Sequence, residues 1–326
     1  MRRLIWRGAG VAAVVGMVWG LMAVTPTYAA YPEHPIKMIV SFPPGSGTDT
    51  NARYAAQKLQ ERIGVPVIVE NRPGANSFIA AEAVVNAKPD GYTLLLASNS
   101  PVTTNVVMFK KLPYDPVTQL APIAKLAYGP MALAVKADSS FKSVEDLIEY
   151  AKQKPDALNY GAGSASYRIA TELFLTEAGI KAEYIPYKGA APALTDLGGG
   201  HVDFVFADLG AVVPFLQSGA MRILAVTGNE RVKSAPEVPT LQERGLKDYY
   251  MINFTAAFAP AGTPKDIVET LAQHFVSIYR DPDAQSFLDR TSWLAFPGGS
   301  QELRDFQRSE IERWGAAAKA ANIPQQ

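Results

Sequence analysis

Ile36-Lys37-Met38-Ile39-Val40-Ser41-Phe42, then Pro43-Pro44-Gly45-Ser46-Gly47-Thr48-Asp49, then an alanine-rich run to Ile63, reads as a strand, a tight Gly/Pro turn and a helix. The first backbone N–H groups of a helix have no intrahelical partner, and the helix dipole adds positive potential behind them. Such an end suits a small anion. It does not suit a nucleotide here. Gly45-Ser46-Gly47-Thr48 brings no Lys to a phosphate, Thr50 stands where a dinucleotide fingerprint has its third glycine, and Asp49 opposes a polyphosphate. A second unit of the same kind follows further on: Leu158-Asn159-Tyr160 as a strand, Gly161-Ala162-Gly163-Ser164-Ala165-Ser166 as the turn, and a helix from about Tyr167 to Ala178. The expectation is one small carboxylate held between the two turns, each contributed by a separate lobe. Either turn alone is equally compatible with a structural role, with Thr48 or Asp49 acting as a helix N-cap.

The segments around these turns alternate in the same way. Val65–Val69 and Tyr92–Ala97 are apolar strands, separated by the turn Asn71-Arg72-Pro73-Gly74, a helix of small residues from about Ser77 to Ala87, and the turn Pro89-Asp90-Gly91. A new run begins with the strand Met131–Val135, after which Ser143-Val144-Glu145-Asp146 caps a helix whose Val144, Leu147, Ile148 and Ala151 share a face. Strands at 183–187, 202–206 and 223–226, an extended stretch at 251–259, a helix opening at Thr263-Pro264 and a closing helix with Phe306, Ile311 and Trp314 complete the pattern. Alternating strands and helices predict an α/β protein with two α/β domains joined by crossing strands near 131–136 and 252–259. The boundaries are residues 30–130 plus 251–326 for one lobe and 131–250 for the other. In such sheets ligands sit beyond the carboxyl ends of the strands. This nominates Pro44, Gly45, Ser46, Gly47, Thr48, Asp49, Ser98 and Asn99 in the first lobe, and Gly163, Ser164, Ala165, Ser166 and Asp208 in the second.

The first 30 residues are read separately. Arg2, Arg3 and Arg7 precede an apolar run over 8–24, and Thr27-Tyr28-Ala29 offers small residues at the two positions a signal peptidase reads, so residues 1–29 are expected to be a cleavable secretory signal. No later apolar run approaches the roughly 20 residues of a membrane-spanning helix. The whole chain has 31 basic and 31 acidic residues; without the three arginines of the leader, 28 basic face 31 acidic, leaving no basic surplus for nucleic acid. There is no cysteine, which rules out disulfides, thiolate metal sites and a cysteine nucleophile. No G-x-S-x-G elbow occurs, and His34, His201 and His274 lack metal-ligand spacing, so neither a catalytic residue, a metal nor a cofactor is assigned. Asp208, at a strand end, is a site candidate, and Lys188 is either an anion contact or simply solvated.

Several motifs occur in a distinctive order: Tyr31-Pro32 with Pro35-Ile36, Phe42-Pro43-Pro44-Gly45 with Thr48-Asp49, Val69-Glu70-Asn71-Arg72-Pro73-Gly74-Ala75, and Pro89-Asp90-Gly91-Tyr92. Leu112-Pro113-Tyr114-Asp115-Pro116, Pro186-Tyr187-Lys188-Gly189, Val238-Pro239-Thr240 and Ala259-Pro260-Ala261-Gly262-Thr263-Pro264 follow. Over essentially the whole chain after the leader, this resembles the extracytoplasmic solute receptors of tripartite tricarboxylate transporters, the Bug family. The resemblance implies a two-lobed periplasmic binding protein of the type II, Venus-flytrap kind, monomeric and non-enzymatic. It would close around a small organic carboxylate and deliver it to a large and a small membrane subunit. It also implies that the loop 43–49 and the glycine loop of the second lobe hold the carboxylate through backbone amides and ordered water. Two departures stand out: Tyr160–Phe174 is slightly short, and Arg168 replaces a frequent His, either reaching an anion or pointing to solvent. A sensory receptor for a signalling partner and a periplasmic carboxylate-processing enzyme are the alternatives.

Overall fold

The computed structural model describes residues 31–326; the expected leader lies outside them. The opening stretch forms β1 (Ile36–Val40), a turn, and α1 (Gly47–Ile63). β2 (Val67–Asn71) and β3 (Thr93–Ala97) flank β1 in parallel register, with α2 (Phe78–Val85) between them in the chain. Ile36, Met38 and Val40 of β1 and Leu94 to Ala97 of β3 are fully buried. Near-continuous apolar runs of this kind mark strands covered on both faces.

A π-helical turn at Ser100–Thr104 and α3 (Asn105–Met108) lead into β4, which runs without interruption from Leu120 to Lys136. The sequence marks a strand only over Met131–Val135, whereas the observed strand also takes in Pro122, Gly129 and Pro130. The pairing of β4 with β9 (Ile252–Pro260) shifts register between Pro122 and Ala124 and again between Lys125 and Ala127, so Pro122 sits at an irregularity, while Gly129 and Pro130 keep register opposite Asn253 and Ile252.

β4 organises the sheet. Up to Pro130 it pairs antiparallel with β9 on one edge and with β10 (Leu294–Gly298) on the other. From Met131 its partners become β7 (Phe204–Asp208) and β8 (Met221–Val226), both antiparallel. Beyond β7 lie β5 (Asn159–Ala162) and β6 (Glu183–Pro186), again parallel. The order is β2-β1-β3-β9-β4-β7-β5-β6, with β10 and β8 paired to β4 off this path. Two parallel sets thus flank an antiparallel centre, each set presenting the carboxyl ends of its strands to one rim. The chain returns from the second set to the first at Thr227, whose Oγ1 accepts the Met131 N–H (2.8 Å) and donates to the Met251 carbonyl (2.5 Å).

Of the helices in the second half, α4 (Val144–Gln153) has the expected capping box between Ser143 and Asp146. α5 (Ala165–Ala178) and α6 (Ala190–Gly199) follow the two glycine turns. α7 (Leu209–Gln217) and α9 (Pro282–Thr291) carried no clear sequence signal; α8 (Lys265–Arg280) did. The last helix, α10 (Ser300–Ala320), fastens the two sets together. Its Leu303 and Phe306 join Leu95 and Phe254 in the core of the first set, and its Trp314, Ala317 and Ala318 join Phe174, Phe206 and Tyr249 in the core of the second. Trp314 is almost fully buried and donates its indole N–H to Glu310 (3.1 Å). Truncating a buried aromatic loses both its transfer free energy and its packing, so Trp314→Ala is expected to destabilise the protein by about 3–5 kcal/mol. Urea unfolding checks this, and a loss below about 1 kcal/mol would show that α10 is not a clasp.

Candidate functional site

The start of α1 is built so that most of its polar groups are already occupied. Ser46, not Thr48 or Asp49, is the N-cap: its Oγ accepts the Asp49 N–H at 3.2 Å. The Ser46 N–H goes to the Pro43 carbonyl (3.2 Å). Gly45, held at φ +82°, donates its N–H to the Asp49 carboxylate at 2.9 Å. The N–H groups of Gly47 and Thr48 have no partner among the described residues.

Asp49 therefore sits behind the turn rather than in the site, contrary to its nomination as a ligand contact. Its carboxylate accepts from Asn71 Nδ2 (2.8 Å) and Arg53 Nε (3.0 Å) as well as from Gly45. Burial alone raises its pKa, yet the hydrogen bonds from Arg53, Asn71 and the Gly45 amide outweigh that and hold the carboxyl below its ordinary value. The direction of a carboxylate cannot be read from chain order. Asn99 is likewise structural: its side chain donates to the Ile252 carbonyl (3.0 Å) and accepts the Phe254 N–H (2.9 Å), pinning β9 to the end of β3.

The start of α5 repeats the design. Ser164 is the N-cap, its Oγ accepting the Tyr167 N–H (3.3 Å) and its carbonyl the Arg168 N–H (3.1 Å). The N–H groups of Ala165 and Ser166 are left over. The residue before the cap has to be glycine, since a Cβ on Gly163 would lie 2.2 Å from the backbone carbonyl of Gly189. That second turn also meets the first set of strands: a Cβ at Gly189 would stand 3.6 Å from the Pro43 ring.

Between these two helix starts lies a cavity of about 270 Å³. Pro44, Gly45, Ser46, Gly47, Thr48 and Ser98 line it from the first set, and Ser164, Ser166 and Asp208 from the second. Adjoining it across Phe42 and Ser164 is a smaller chamber of about 180 Å³, which Gly163 and Ala165 line together with Ser41, Ser100 and Lys188. Its far wall is Gly74 to Ser77, where Ala75, Asn76 and Ser77 adopt successive left-handed conformations at φ 44°, 52° and 74°. Non-glycine residues hold such angles only where the surroundings impose them. One such restraint is the Asn105 amide, which donates to the Asn76 carbonyl at 2.7 Å. The helix expected from Ser77 therefore starts one residue later.

Asp208 forms the floor of the larger cavity. It precedes α7 but does not cap it; its carboxylate accepts from Asn253 Nδ2 and the Tyr167 hydroxyl. Burial raises the carboxyl above its ordinary value, and the two hydrogen bonds only partly counter that. A Cβ on Gly47 would fall 2.6 Å from Asp208 Oδ2, so carboxylate and helix start are in contact across the cavity. The oxygens Ser98 Oγ and Asn253 Oδ1 here, and Ser41 Oγ and Ser100 Oγ in the smaller chamber, are buried without a hydrogen-bond partner among the described residues. Buried polar atoms are ordinarily paired, so these four leave hydrogen-bonding capacity unused at the two chambers.

The Arg168 guanidinium stacks over Tyr184 at 4.5 Å, and among the described residues it forms no ion pair and its Nε is buried without a hydrogen-bond partner. Tyr167, Phe215, Asn253 and Trp293 line the cavity without having been nominated. For Asn253 a signal existed, a lone amide inside the apolar run 251–259; Trp293 arrives from a distant turn by tertiary folding alone. Because Asp49 is held below its ordinary pKa, its contribution to stability is full above 3.8 and is lost as pH falls through the lowered value. Asp49→Asn is expected to cost about 1–2 kcal/mol at neutral pH, with the gap to the parent closing on acidification. Urea titrations at stepped pH decide it; a pH-independent gap would assign the loss to shape instead of charge.

The similarities of the chain fit this geometry. BugT of Bordetella pertussis is 32% identical over 315 residues, covering 94% of this chain and 96% of its own. The structure of R. palustris Rpa4515 with adipate superposes with a TM-score of 0.88 at 33% identity, covering 91% of this chain and all of that one. The periplasmic binding protein BugD gives a TM-score of 0.85 at 29% identity over 91% of this chain and all of its own. Residues 51–323 match the family model described as the tripartite tricarboxylate transporter family receptor, and the chain belongs to that family of solute-binding proteins.

Proposed function

We propose that this protein captures a small organic carboxylate in the periplasm and delivers it to the large and small membrane subunits of a tripartite transporter. In this reading residues 30–130 with 251–326, and residues 131–250, act as two lobes that close on the solute. The observation that carries it is the convergence of two helix starts, α1 and α5, on one hollow. Each contributes two uncommitted N–H groups backed by a helix dipole, which together stabilise a carboxylate without a full counter-charge. The adipate bound by the related Rpa4515 supports a carboxylate as the guest. Among the described residues the cavity hydroxyls have no His or Lys beside them, and the Asp208 carboxylate in the lining is engaged by Asn253 and Tyr167, an arrangement that favours binding over turnover. No described helix is long and apolar enough to cross a membrane.

Calorimetry and thermal unfolding with a panel of mono-, di- and aromatic carboxylates test this. At least one acid is expected to stabilise the protein, by about 2.7 kcal/mol at a hundredfold excess over Kd. Gly47→Ala, which drives a methyl group against Asp208 and Trp293, is expected to weaken that acid at least about tenfold in a protein that still folds. A folded parent that no member of the panel stabilises would refute the carboxylate reading.

A further inference from the structure

The lining of the two chambers is uneven in charge. Among the described residues the larger cavity has no Lys, Arg or His, and its charged group is the Asp208 carboxylate. The smaller chamber has Lys188 and no acid. One cation and one anion therefore face the cleft. A guest with a single carboxylate can be matched by Lys188, the helix starts and the unpaired hydroxyls. A second carboxylate in the larger cavity would stand beside Asp208 with the helix-start N–H groups already taken by the first, and burying an unmatched charge is among the costliest events in a protein.

The larger cavity also asks for something else. Asn253 turns its N–H to Asp208, which leaves Asn253 Oδ1 as a buried acceptor without a donor; the residue is 4% exposed. Two acceptors, that oxygen and the carboxylate, thus share one wall, and a hydroxyl, amide or amine would satisfy them. The remaining wall is apolar, formed by Leu194, Ala211, Pro214, Phe215 and Trp293. Taking the carboxylate reading above as its basis, we propose that the solute is a monocarboxylate that presents an O–H or N–H to Asp208 and Asn253. Its apolar body lies against Leu194, Phe215 and Trp293.

Calorimetry on the dialysed protein with four probes separates the possibilities: phenylpropionate, phenyllactate, benzylsuccinate and adipate. Phenyllactate differs from phenylpropionate by one hydroxyl, and benzylsuccinate adds a second carboxylate to the same framework. Phenyllactate is expected to bind best, with phenylpropionate and both diacids each weaker by about tenfold or more. Asp208→Asn is expected to narrow the gap between benzylsuccinate and phenyllactate from both sides. Equal binding of phenyllactate and phenylpropionate would overturn the donor requirement. A diacid binding tightest, and losing its advantage in Lys188→Met, would overturn the single-charge requirement and place the second carboxylate in the smaller chamber. Either result leaves the carboxylate reading intact, whereas a folded protein that binds none of the four removes the basis of both.

Discussion

A helix that begins inside a protein brings N–H groups that need an acceptor, and two helices here begin at the same hollow. The fold satisfies as many of these groups as it can from within: Ser46 and Ser164 each cap one, and Asp49 takes the Gly45 amide. What remains is a pair of N–H groups at each start without a partner among the described residues. The rest of the site arranges itself around that deficit. Glycines stand where a side chain would block the approach, at 47 against Asp208 and at 163 against Gly189, and buried hydroxyls line the approach with hydrogen-bonding capacity that the chain itself leaves unused.

Support for the turns comes from residues that never touch the hollow. Asp49 ties the loop to Arg53 and Asn71, and Asn99 ties the end of β3 to β9. These polar contacts are buried and directional, so they fix loop geometry where apolar packing, which is indifferent to direction, would leave it loose. The strained run at Ala75–Ser77 shows the same economy: its backbone is held by neighbours such as Asn105 in a conformation it would not choose alone.

The backbone of the site was legible in the sequence because turns are local. Gly and Pro between an apolar strand and a helix announce themselves, and both helices start two or three residues before where the pattern puts them. Side-chain direction was not legible. Asp49 and Asn99 sit at the right rim but point away from the cavity, a distinction made by partners 22 and 153 residues away. Asn253 and Trp293 reach the cavity through β9 and the turn before β10, whose positions depend on the whole sheet. The length of β4 was hidden for a similar reason, since Pro122 at a register shift and Pro130 opposite Ile252 are tolerated only in the assembled sheet.

β4 also governs how the molecule can deform. One unbroken strand belongs to both sets, exchanging its neighbours at the Pro130–Met131 peptide, and the Thr227 hydroxyl stitches the returning chain to the same point. Were the two sets to part, the movement would twist this shared spine and spread over many peptide units, in the manner of a torsion bar instead of a door on a loose pin. A continuous strand of this kind would make rotation about it the freer movement and sliding of one set past the other the costlier one.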